Sequence, residues 1–137
     1  MSEEKKLEQV IILSLETAQK MIKEHKTITP FAAWAFTDNN DIKMSSYQES
    51  LPDGSWQELI EHTVKNMRRL EKDEKLQITA VITALESGNN TAIGIQIETV
   101  AGAKLFIYPY SVNDSENISI DEPIQSDMLI AGKVFQH

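Results

Sequence analysis

Three histidines, His25, His62 and His137, are the side chains best suited to proton transfer or metal binding near neutral pH. His62 follows Glu61 and lies four residues after Glu58. A carboxylate beside an imidazole can serve acid–base work or hold a metal. One imidazole with one carboxylate is too few ligands for zinc, so the pair reads as a solvated surface pair. His25 falls at a basic helix end and reads as a residue favoured there by the helix dipole. His137 closes the sequence. Asp38-Asn39-Asn40-Asp41 offers oxygens to a cation, but the same four residues make an ordinary hairpin turn. With no cysteine, disulfides, thiolate zinc sites, iron–sulfur clusters and cysteine nucleophiles are excluded. The five glycines do not cluster into a phosphate loop, and neither Gly-x-Ser-x-Gly nor His-Glu-x-x-His occurs. No catalytic residue, metal ligand or cofactor site is therefore expected.

The aromatic residues are the other group with chemical potential. Side chains alternate along a strand, so Phe106, Tyr108 and Tyr110 share one face, and Trp34 and Phe36 share one face of an earlier strand. If both faces lie on the same side of a sheet, five aromatics gather there. They are then either core beneath helices or a binding surface.

These residues need elements to position them. The first helix is expected over about Glu3 to His25, with Leu7, Val10, Ile11, Leu15, Ala18, Met21 and Ile22 on one stripe at about 100° per residue. Ile12 and Leu13 lie off that stripe on opposite flanks, where either neighbouring loops cover them or they join a subunit interface. Pro30 to Thr37 reads as a buried strand, Ile42 to Tyr47 as its returning partner, and Pro52-Asp53-Gly54 as loop. Ser55-Trp56-Gln57-Glu58 matches a capping box and opens a second helix. Its stripe is Trp56, Leu59, Ile60, Thr63, Val64, Met67 and Leu70. Strands follow over Leu76–Glu86, Thr91–Val100 and Ala103–Tyr110. The middle one has a dry face of Ile93, Ile95 and Ile97 and a wet face of Gly94, Gln96 and Glu98. Pro109 cannot donate to a ladder, so the last strand ends there or lies at an edge. Beyond Ser111 the chain is acidic, with a short strand available at Ile118–Ile120, until Met128 to Phe135 turns apolar and docks back.

The reading is an α+β fold in the order α-β-β-α-β-β-β. Its mainly antiparallel five-stranded sheet packs one face on two amphipathic helices. The chain of 137 residues makes one domain. Its core spans about residues 5–111, with an acidic loop and docking segment over 112–137.

Pro30-Phe31-Ala32 at the first strand, Ala92 to Glu98, Gly102 and Phe106-Ile107-Tyr108-Pro109-Tyr110 together resemble a group of small bacterial α+β proteins of unknown function. In that group a "PFA" strand comes early and a strand ending in "PY" late. The element order resembles roadblock and profilin-like folds. Neither resemblance implies an activity or a catalytic residue.

The net charge is −8, from 21 acids against 13 bases. That speaks against a general nucleic-acid binder and a binder of anionic membranes. Apolar runs such as Val10 to Leu13 are far short of the roughly 20 residues that span a bilayer. No secretory signal is visible, so a cytoplasmic location is expected and the Asn-x-Ser/Thr triplets at Asn89, Asn113 and Asn117 read as turn sequence. The leading functional reading is a non-enzymatic protein-interaction module, either a homodimer or the acidic partner of a basic protein, as an immunity or antitoxin-like protein would be. The alternative is a small-molecule binder or small enzyme with an aromatic-lined pocket around Tyr47, Tyr108, Tyr110 or Trp34, and Glu98 or His62 as its polar group.

Overall fold

The structure is a computed structural model that describes residues 2–45, 56–73, 75–87, 90–115, 117–132 and 134–135. Helix α1 spans Glu3–His25. The Ser2 hydroxyl accepts the Lys5 amide at 3.2 Å, and Glu3 and Glu4 occupy the positive first turn. The helix stops at Lys26, which adopts a left-handed conformation (φ 64°) and donates its amide to the Ile22 carbonyl at 2.8 Å. Strands β1 (Phe31–Phe36) and β2 (Ile42–Ser45) form a hairpin, with the Asn39 side chain accepting the Asp41 amide in the turn. Helix α2 spans Trp56–Asp73. The capping residue Ser55 and the nominated Tyr47 lie outside the described residues, as does His137. Then come β3 (Leu76–Ser87), β4 (Asn90–Thr99), β5 (Gly102–Val112), β6 (Ile118–Ile120) and β7 (Ile124–Ser126).

The α+β class and antiparallel sheet expected from sequence are present, but the sheet has seven strands rather than five. The order is β2-β1-β3-β4-β5-β6, and β7 also pairs with β5. The two extra strands follow from the length of β5. Its outer edge would leave a row of amides and carbonyls unpaired. β7 pairs with Leu105–Ile107 and β6 with Tyr110–Val112. Pro109 sits in the gap between them. Its carbonyl points outward to accept the Asp121 amide at 2.8 Å, so its ring nitrogen points outward too. The missing N–H therefore breaks no bond to β4, and the strand continues past Pro109 to Val112 instead of ending there.

The helices also differ from expectation in where they pack. They cover opposite faces of the sheet, because the central strands are apolar on both. All six residues of β1 are buried. Phe31, Ala33 and Ala35 join Ile78, Ala80, Ile82, Ile93 and Ile95 under Val10, Ala18 and Ile22 of α1. Ala32, Trp34, Phe36 and Val81 join Ile60, Val64 and Met67 of α2 on the other side. The register shift between Ala35 and Phe36 keeps Phe36 beside Leu76 on the α2 face. Thr63, buried on the inner stripe of α2, satisfies its hydroxyl on the Leu59 carbonyl at 2.7 Å. Trp56 belongs to the sequence stripe but is exposed at the helix start.

One buried residue of α1 is charged. Lys6 lies under the stripe and donates from Nζ to the Phe36 carbonyl at 2.7 Å and to Gln77 Oε1 at 2.8 Å. It ties the start of α1 to the end of β1 and the start of β3.

Candidate functional site

The polar side chains of β4 build the most elaborate arrangement in the molecule. Residues i and i+2 of a strand share a face, so Gln96 and Glu98 both point toward the α2 side. Sequence alternation makes that face of β4 wet. The structure instead buries both residues, at 2% and 3% exposure, under the segment that follows β7. Gln96 Oε1 accepts the Ile130 amide at 2.8 Å and the Ala131 amide at 2.9 Å, while its Nε2 donates to the Ala131 carbonyl at 3.0 Å. Glu98 accepts the Val134 amide at 2.6 Å on one oxygen and the Phe135 amide at 2.9 Å on the other. Val134 and Phe135 then bury their side chains in the α2-side core. Every one of these bonds reaches a main-chain atom of Ile130, Ala131, Val134 or Phe135, which lie as a strap across the sheet.

An open groove separates the strap from α2. It is lined by Gln57, Glu61, Val64 and Arg68 of the helix and by Leu129 to Gly132 of the strap. A Cβ at Gly132 would stand 2.9 Å from a terminal nitrogen of Arg68, so this part of the strap lies close beside the Arg68 guanidinium of α2. The chain leading into the strap exposes large apolar side chains: Ile124 at 58%, Met128 at 79% and Leu129 at 36%. Across the ladder, Ile107 lies half-buried opposite Ile124. Asp121, Glu122 and Asp127 are exposed along the same stretch. Exposed apolar and acidic side chains thus lie close together in sequence along this stretch.

The five nominated aromatics fall into two groups on opposite faces. Trp34 and Phe36 are buried on the α2 side, where Lys43 Nζ stands 5.8 Å over the Phe36 ring. Phe106, Tyr108 and Tyr110 lie on the α1 side, Tyr108 buried and its neighbours half-buried. Burial pushes the Tyr108 hydroxyl up from its ordinary value of 10. The neutral form is then favoured in the fold, and only the unfolded chain ionises freely just above 10. Stability should consequently fall as pH rises through and beyond about 10. Alkaline urea titrations of the parent and Tyr108→Phe check this, the variant showing the shallower loss.

Ile12 is 53% exposed on α1, while Leu13 is half-buried on the other flank. One turn beyond Leu13, the Thr17 hydroxyl contacts Met44 Sδ of β2 at 3.6 Å. His25 is exposed and stands 3.9 Å from the Glu24 carboxylate. His62 is half-buried on α2, and its carbonyl accepts the Asn66 amide nitrogen at 3.0 Å. Among the described residues, no three His, Asp or Glu side chains converge as a metal-ligand group. No helix of the described residues is long and apolar enough to cross a membrane. Comparison with family models, with curated proteins and with solved structures finds no match to this chain.

Proposed function

We propose that the protein is a non-enzymatic interaction module that binds a basic protein partner through the surface formed by Ile124, Met128 and Leu129. The observation that carries this reading is the run of exposed apolar side chains within six residues of chain, set among Asp121, Glu122 and Asp127. Apolar anchors supply the contact free energy, while the acids steer a cationic partner and orient it. The net charge of −8 extends that steering beyond the patch. Neutralisation of a basic toxin, as an immunity or antitoxin-like protein performs it, is the particular form of this reading that size and charge favour.

The test uses the full chain as bait in a host lysate at low and at high salt, beside a variant carrying Met128→Ser and Leu129→Ser. Both residues are exposed, so the fold should tolerate the change within about 0.5 kcal/mol. The expected result is a stoichiometric basic protein held by the parent at low salt, lost at high salt, and lost by the variant at either. A partner that ignores salt, or one the variant retains in full, refutes the proposal.

A further inference from the structure

A small cleft opens between the last turns of α1 and the β5–β6 hairpin, on the side of the sheet away from the strap. Its volume is about 230 Å³. Ile22, Thr91, Tyr110, Val112 and Ile118 line it, together with Lys23. Val112 pairs with Ile118 and Tyr110 with Ile120, which sets these side chains on the α1 face of the sheet. We propose that this cleft binds a short amphipathic carboxylate, an aliphatic chain ending in one anionic head. The proposal uses none of the residues of the Ile124–Leu129 surface and stands or falls apart from it.

Each part of that ligand answers an observation. The walls supplied by Ile22, Val112 and Ile118 are apolar, and Val112 is 49% exposed, so an aliphatic chain laid there removes apolar surface from water. Polar groups are available beside them. Among the described residues, the Thr91 and Tyr110 hydroxyls and the Lys23 ammonium have no hydrogen-bond or ion-pair partner. All three are donors that a carboxylate accepts from. The volume lies below the roughly 300–1,000 Å³ of sites for drug-sized ligands, which limits the occupant to a short chain.

Charge selects the head group. The chain as a whole carries −8 and repels anions at long range. Lys20 and Lys23 reverse that locally. Both line the depression that adjoins the cleft at Lys23 and Ile118, where, among the described residues, Glu16 is the one acid against these two bases. The dipole of α1 explains why bases occupy its last turn. It does not explain an ammonium at the edge of an apolar cleft beside two unpaired hydroxyls, which a carboxylate would satisfy together.

Octanoate, octanol and acetate are titrated against the full chain, below the concentration at which octanoate aggregates, with amide and side-chain shifts followed by NMR. Octanoate should saturate, with its largest shifts at Thr91, Tyr110, Val112 and Ile118. Octanol should bind the same residues more weakly. Acetate, a head without a chain, should not saturate. Lys23 is exposed, so Lys23→Gln leaves the fold intact; it should weaken octanoate about threefold and leave octanol unchanged. Added salt should weaken octanoate in the same way. Val112→Ser should weaken both ligands. The proposal is overturned if octanoate fails to saturate, or if its shifts centre on a second apolar cleft at Leu7, Ile97 and Phe106. It is overturned equally if Lys23→Gln binds octanoate as tightly as the parent, or if Val112→Ser leaves both ligands unaffected.

Discussion

Glu98→Ala should lower the stability of the folded chain by about 3 kcal/mol, the largest effect expected of any single polar substitution here. The loss has two sources. The Val134 and Phe135 amides lose a charged acceptor in a dry setting, and an unmet buried donor costs about 1–3 kcal/mol. The strap can escape that penalty by detaching, but it then exposes Val134 and Phe135, each worth about 1.5–3 kcal/mol when buried. Detachment thus sets the ceiling. Glu98→Gln should rescue little, because the amide nitrogen is a donor facing another donor. Urea midpoints measure the cost, and hydrogen exchange of the Val134 and Phe135 amides locates it. Exchange at those two amides that stays as slow in Glu98→Ala as in the parent would sink this account of the clamp.

The second large effect is at Lys6. Lys6→Ala removes both bonds from Nζ, leaves the Phe36 carbonyl without its charged donor, and opens space beneath α1. A cost of about 2–3 kcal/mol is expected. Lys6→Met separates the contributions, since its side chain fills most of the space occupied by the lysine stem. It should recover part of the loss and not all of it. Equal stability of Lys6→Met and the parent would mean that the ammonium contributes nothing to the docking of α1.

The two positions also mark where the sequence was legible and where it was not. Helix α1 was readable to its ends, because an apolar stripe, acids in the first turn and bases in the last all agree there. The β1–β2 hairpin and the meander of β3, β4 and β5 followed from alternation and turn residues. Alternation failed where a second layer covered the polar side. Gln96 and Glu98 look like solvent-facing residues of a half-buried strand, because the segment that covers them lies more than thirty positions later. The apolar run at Met128 to Phe135 was the usable signal, since it needed a docking place. Lys6 was hidden because residue type argues for exposure, and its two acceptors come from Phe36 and Gln77. The apparent aromatic row dissolved for a related reason. Period-two reasoning assigns residues to a face within each strand, but the relative face of distant strands depends on pairing register. Here Trp34 pairs across β1–β3 with Thr79, Thr79 with Glu98, and Phe106 sits opposite Ile95. That chain of partners sends the two aromatic groups to opposite sides. Strand β6 falls on the short strand available at Ile118–Ile120, whereas β7, also three residues long, carries too little pattern to be read alone; both pair with the edge of β5.

Pro109 has an effect that reaches into folding. Its ring nitrogen is harmless only while it faces away from β4. A slip of β5 by one residue would rotate the strand and turn that nitrogen inward, to a place where the ladder needs a donor. The same slip would carry Tyr108 out from under α1 and bring polar and charged neighbours such as Lys104 onto the opposite core. Wrongly paired hairpins of β4 and β5 are thus penalised twice over, once in the backbone and once in the side chains. In a meander of long, isoleucine-rich strands, a single imino acid thus adds a backbone check on assembly to the one the side chains already make.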